Sequence, residues 1–135
     1  SLVTKWVPFG DDPAAYVRQI FLPALAIAMV AVFSVMALLL SELTSHTAAT
    51  NMIGPLAITA AISAGMNPVP VSVAIALSAS LGFMLPVSTP PNAIVYASGY
   101  IPITKMIRTG VYIDVIGIAC ITIPLCIYFV SWIIG

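Results

Sequence analysis

Between Phe21 and Tyr100 the chain carries a single formal charge, Glu42. A stretch of that length cannot enclose a core and still face water, because a soluble domain keeps roughly a quarter of its residues charged. Over the whole chain 6% of residues are charged and 61% are hydrophobic. The sequence therefore excludes a soluble globule and predicts an all-α membrane protein. A spanning helix takes about 20 apolar residues, which leaves room for roughly three to five membrane segments. Net charge is zero and there is no basic cluster, so the electrostatic footprint of a nucleic-acid binder is missing. Cys120 and Cys126 are too few for a disulfide framework and read as buried free thiols. The first residue is Ser1, and no basic stretch leads into a short apolar run with a cleavage site, so no signal peptide is expected.

Proline and glycine divide the chain. Residues 1–20 hold Pro8, Gly10 and Pro13, with Asp11 or Asp12 placed to cap a helix, and read as an interfacial helix and connection anchored by Trp6 and Tyr16. Residues 21–65 begin as an apolar run to Leu40, either a full span or one arm of a hairpin that enters the membrane and turns back. They then pass through the polar knot Ser41-Glu42-Leu43-Thr44-Ser45-His46-Thr47 and resume as helix up to Gly65-Met66-Asn67-Pro68. Residues 66–109 predict a helix rich in small residues, which let membrane helices approach closely. A break is expected over 86–92, at Pro86-Val87-Ser88-Thr89-Pro90-Pro91-Asn92, and a basic loop or short amphipathic turn with Lys105 and Arg108. Residues 110–135 predict a final span, with Tyr112 and Trp132 about 30 Å apart along it. Lys105 and Arg108 favour the cytoplasmic side.

Irregular chain at membrane depth survives only where it is buried in protein or lines a cavity. The first knot offers hydroxyls and the His46 imidazole, and the second offers Ser88, Thr89 and the Asn92 amide. Each opens a new helix, near Thr47 and near Ala93, whose free amides attract anions, while the preceding helix ends offer carbonyls to cations. That arrangement occurs where discontinuous helices meet in secondary transporters. The plainer alternative is an extramembrane turn followed by a proline kink, and spacing alone leaves both open.

Two runs carry a resemblance. Leu43-Thr44-Ser45-His46-Thr47-Ala48-Ala49-Thr50 and, some forty positions later, Phe83-Met84-Leu85-Pro86-Val87-Ser88-Thr89-Pro90-Pro91-Asn92-Ala93-Ile94-Val95-Tyr96 resemble the C-terminal half of the divalent anion/sodium symporter family. The family shows a Ser-Asn-Thr motif at a re-entrant hairpin tip and a Thr-Pro-Pro-Asn-Ala break in the next helix. The likeness runs from about Ala31 to the C-terminus. It implies one half of an inverted-repeat transporter: a re-entrant helical hairpin with its tip at 45–47, a discontinuous transmembrane helix and a final transmembrane helix. It further implies a sodium-coupled, elevator-type symporter in a cytoplasmic (inner) membrane, multi-pass, for a dicarboxylate or sulfate-like anion. On the matching positions Ser45, His46, Thr47, Thr89 and Pro90 would meet the substrate, and Ser41, Thr44, His46 and Ser88 would surround a sodium ion. The implied partners, besides the bilayer, are the N-terminal half of the same transporter and a second copy joined through a scaffold domain outside this chain. His46 departs from the family's Asn.

Other residues offer less. His46 has no second His, Asp or Cys at metal-ligand spacing, which leaves a neutral hydrogen-bonding role or one as a protonated imidazole beside the anion. Ser45 and His46 are sequence neighbours, a poor nucleophile and base pair, and no Gly-x-Ser-x-Gly elbow occurs, so no enzyme is expected. Glu42 is either functional or a water-facing or salt-bridged hairpin residue. Asp114 reads as an interfacial acid near Arg108 in the first turn of the last helix. A non-transporting membrane anchor or assembly subunit is the alternative to a symporter.

Overall fold

The computed structural model describes residues 13–134, apart from the side chains of 13, 15–19, 129, 130 and 132–134. Among the described residues every regular element is a helix: α1 Pro13–Leu43, α2 His46–Ser63, α3 Val69–Ser80, α4 Pro90–Ala97 and α5 Ile103–Ile134. Two stretches, Ile20–Leu43 and Ile103–Tyr128, are long and apolar enough to cross a membrane. The expected interfacial helix falls largely outside the described residues, as do the Trp6, Tyr16 and Trp132 side chains. From Pro13 the backbone is already α1, which runs unbroken past residue 20 and through Pro23.

α1 and α2 form an antiparallel helical hairpin joined by Thr44 and Ser45 alone. α1 turns Ala26, Val30, Ser34, Ala37 and Ser41 inward at helical spacing. α2 answers with Ala49, Ile53, Ala57 and Ala61, every fourth residue. Met66, just past α2, packs beside Ala26, far down α1, which fixes the antiparallel sense. The α2 end follows from its glycine: Gly65 takes φ 73, its amide bonds Ile62 O, and Met66 N bonds Ala61 O. These are the paired hydrogen bonds that close a helix around a left-handed residue. Asn67 Oδ1 then accepts from Val69 N to start α3.

α3 packs between α1 and α2 and also against α5. Its buried residues are Pro70, Val71, Ala74, Ile75, Ser78 and Ala79, and the small ones among them, Ala74, Ser78 and Ala79, let the neighbouring backbones come close. α4 buries none of its residues. The outward surface is apolar, with Val32, Leu43, Ile94, Val115 and Ile116 all exposed. In water such a surface would be a liability.

Four expectations need correction. The second break spans Leu81 to Thr89 rather than 86–92, because Leu81 is already extended and Gly82 sits at φ 144. Pro90 and Pro91 then open α4 instead of interrupting it, since proline in a first helical turn gives up an amide that would be unpaired anyway. The segment expected as a basic loop is helical from Ile103, where Pro102 O accepts from both Lys105 N and Met106 N. Cys120, expected buried, is an exposed free thiol, and Cys126 is half-buried.

Candidate functional site

Ser41 lies in the last turn of α1 before the hairpin turn, fully buried, and its Oγ reaches across to the end of α3. It donates to Ala79 O at 2.5 Å, with Leu81 O at 3.2 Å as a second acceptor, and it pairs with His46 Nδ1 at 2.5 Å. A hydroxyl has one proton to give. With that proton on a carbonyl, Ser41 Oγ accepts from Nδ1–H, which assigns the tautomer by network logic and leaves Nε2 as the imidazole's open end. The imidazole fits because Gly82 has no side chain: a Cβ there would lie 2.9 Å from His46 Cε1 and 3.3 Å from Ser41 Oγ.

Glu42, next in the chain, is 2% exposed. Its Oε1 accepts from Met84 N and its Oε2 from Leu85 N, both at 3.1 Å, and Ser88 Oγ donates to Oε2 at 2.7 Å. The carboxylate therefore serves amides that the unwinding of the second break leaves without helical partners. A water-facing position does not describe it. The Asn92 amide does the complementary work, donating to Gly82 O at 3.0 Å and Leu85 O at 3.2 Å.

The remaining candidates are held more locally. Ser45 Oγ accepts from Ala48 N at 3.2 Å and Thr89 Oγ1 from Asn92 N at 3.4 Å, so each caps the helix that follows it. Each cap occupies one of the first-turn amides that the sequence offered to an anion. Thr44 Oγ1 turns back to Leu40 O at 2.7 Å. Thr47 and Pro90 are exposed. Among the sodium candidates, Ser41 and His46 touch each other, Ser88 is joined to their neighbour Glu42, and Thr44, in the turn, bonds back to the end of α1.

Gly82 and Asp114 escape sequence reasoning. A lone glycine in a helix-like run gives no sign that it ends the helix, though its company of Ser80 and Leu81 hints at a close approach. Asp114 is not the interfacial acid expected: it is 3% exposed, in the fourth turn of α5 and turned to the second break. The two helix breaks are thus stitched together through Ser41, Glu42 and His46 on one side and residues 79–88 on the other. The junction offers hydroxyls, carbonyls, amides and one free imidazole nitrogen. No group of three or more metal-binding side chains occurs among the described residues.

A family model described as the sodium:sulfate symporter transmembrane region matches residues 16–134. The chain is 36% identical over 121 residues to the Na(+)/citrate cotransporter of Rattus norvegicus, covering 90% of this chain and 20% of that protein. It is 39% identical over 101 residues to the sodium-dependent dicarboxylate transporter SdcS of Staphylococcus saprophyticus, covering 75% and 19%. Over 98 residues it is 37% identical to solute carrier family 13 member 2 of Mus musculus, covering 73% and 17%. The chain spans about a fifth of the length of these relatives.

Proposed function

The chain belongs to the divalent anion/sodium symporter family, a family of membrane transporters and not of enzymes, and on that premise we propose that it is part of the C-terminal half of a sodium-coupled symporter for dicarboxylates or similar divalent anions. Sodium enters as a co-transported ion. The observation that carries the proposal is the junction of the two breaks, where Ser41 bonds His46 and Ala79 while Glu42 bonds Met84, Leu85 and Ser88. Helices that stop and restart beside each other leave terminal amides and carbonyls at one depth, which is how an anion and its coupling ion are held without a charged side chain.

In this proposal Ser45, His46, Thr47, Thr89 and Pro90 meet one end of the anion, and Ser41, Thr44, His46 and Ser88 supply oxygens and a nitrogen around sodium. Both sets use His46: its Nδ1–H is engaged by Ser41, the lone pair on Nε2 suits a cation while the ring is neutral, and Nε2 donates to the anion only as the imidazolium. The hairpin is re-entrant, the movement is of the elevator type against a scaffold that also forms a dimer, and the protein is a multi-pass protein of the cytoplasmic membrane.

The test is sodium-dependent uptake of labelled dicarboxylate, citrate and sulfate by the full-length protein in proteoliposomes, together with a cysteine at Ser45. That cysteine is expected to react with a small water-soluble thiol reagent and to be protected by sodium plus substrate. Labelling indifferent to both would overturn the assignment. For His46, binding is compared in the parent and in His46→Asn between about pH 5 and 8. An anion that binds the imidazolium better binds more tightly as pH falls in the parent and not in the variant. Superimposable profiles leave His46 as a neutral replacement for Asn.

A further inference from the structure

Asp114 is the buried group that the transport proposal does not use. It is 3% exposed, and with its carboxyl written as ionised neither oxygen has a hydrogen-bond partner. The face of α5 that carries it presses on the second break from both sides of Asp114. At Gly110, one turn earlier, a Cβ would lie 2.6 to 2.7 Å from the Met84 and Phe83 backbone, and at Gly117, one turn later, 2.8 Å from the Leu81 side chain. Between these glycines Asp114 faces the Glu42 carboxyl, with the Gly82 and Phe83 amides alongside. So close an approach suits a direct hydrogen bond between the two acids and not an ion with its water.

Two carboxylates have only lone pairs to offer each other, and buried together they repel unless something positive lies between them. Among the described residues no cation of the protein does so. α1 presents Glu42 itself, α3 carries no titratable side chain, α2 brings His46 with its Nδ1 turned to Ser41, and Tyr96 of α4 is exposed. On α5 itself Lys105 and Arg108 are exposed. A proton resolves the meeting, because a carboxyl that keeps its hydrogen becomes a donor. Hydrogen-bond accounting says which acid carries it. Both Glu42 oxygens already accept, Oε1 from Met84 N and Oε2 from Leu85 N and Ser88 Oγ, whereas Asp114 has nothing else to bond.

We propose that Asp114 is a proton-binding site that fastens α5 to the second break. Its protonated carboxyl donates to the Glu42 carboxylate, whose Oε1 keeps a lone pair free, and Glu42 in turn holds the unwound amides of Met84 and Leu85. With the proton in place, α5, α1 and the break are joined by one chain of hydrogen bonds. When Asp114 gives the proton up to water, two carboxylates face each other and the joint loosens. Asp114 belongs to neither the anion set nor the sodium set, so the inference stands apart from the transport proposal.

The test uses the full-length protein in detergent, without substrate and at fixed sodium, and follows the thermal midpoint of the parent and of Asp114→Asn from about pH 6 to 9. The variant's amide donates to Glu42 as the protonated acid does and has no proton to lose. Folded Asp114 keeps a proton that the unfolded chain has already released, so stability falls as pH rises through the release. The parent is expected to lose several degrees over that range that the variant keeps, and the titration of His46, common to both, cancels in the difference. Superimposable profiles overturn the inference. Infrared spectra at neutral pH give a second reading: one protonated-carboxyl band is expected in the parent, lost in Asp114→Asn and displaced in Asp114→Glu, and identical bands in all three overturn it. Should the variants not fold, the parent decides alone. A protonated-carboxyl band that fades as pH rises, in step with the thermal midpoint, is expected, and a spectrum without one overturns the inference. Uptake by Ser45 or His46 variants reports on transport alone and can fail without touching this result.

Discussion

The first break and the second solve the same problem by opposite means. Between α1 and α2 the chain leaves helix for two residues, and neighbours settle the loose ends: Thr44 N returns to Leu40 O and Ser45 caps Ala48. Between α3 and α4 it leaves helix from Leu81 to Thr89, and groups about forty residues away do the settling, above all the Glu42 carboxylate on Met84 N and Leu85 N. A short break is stable by its own sequence. A long one exists only because a partner elsewhere pairs with it, so its shape reports the position of α1 and α5. That dependence suits a segment that has to respond to what binds beside it.

The largest effect expected from this contrast is at Glu42. Glu42→Ala leaves two amides without an acceptor, each costing about 1–3 kcal/mol when buried, while the Ser88 hydroxyl keeps the main-chain carbonyl of residue 42. Allowing for relaxation, the loss is roughly 2 to 5 kcal/mol in thermal unfolding, with hydrogen exchange rising at Met84 and Leu85. A variant as stable as the parent would abolish the distinction between local and remote support.

Gly110→Ala comes next. Its Cβ meets Met84 and Phe83 backbone, which cannot swing aside as a side chain can, so overpacking costs roughly 1 to 3 kcal/mol. Gly54→Ala in α2 has nothing within 4 Å and is expected to be neutral or stabilising by up to about 1 kcal/mol. Equal losses at the two glycines would show that α5 does not shape the second break.

The smallest effect is expected at the first break. Ser45→Ala removes a cap worth about 1 kcal/mol and is expected to leave exchange at Met84 and Leu85 untouched. Ser45→Asn restores the cap. A change at Met84 on capping the other break would mean the two are coupled more tightly than their bonds suggest.

Much of the helical layout was legible because glycine and proline act locally. Gly65 to Pro68 ended α2 as expected, and the α2 start lies at His46, one residue from the position the sequence suggested. The Thr-Pro-Pro-Asn-Ala run identified the family, which the comparisons bear out. What spacing could not tell was direction and facing. A double proline says only that upstream carbonyls go unpaired, which is equally true of a helix that ends there and one that begins there. In a helix apolar all round no stripe marks the buried side, so nothing distinguished Asp114 as inward or Cys120 as outward. Glu42 and the Met84 amide are forty-two residues apart, and no local pattern encodes their meeting.

The apolar part of α1, Ile20–Leu43, is 24 residues long, about 36 Å of helix against a hydrocarbon layer of about 30 Å. As an arm of the proposed re-entrant hairpin, which turns back inside the membrane, a helix that long has to lie slanted or begin outside the hydrocarbon layer, and Pro23 near its start offers a place to bend. Ser41 and Glu42 ride at the far end of that same helix, so their depth is set by how the excess is taken up. Bilayer thickness thereby becomes a mechanical input to the junction: lipids of shorter or longer chain shift Glu42 relative to the segment it holds.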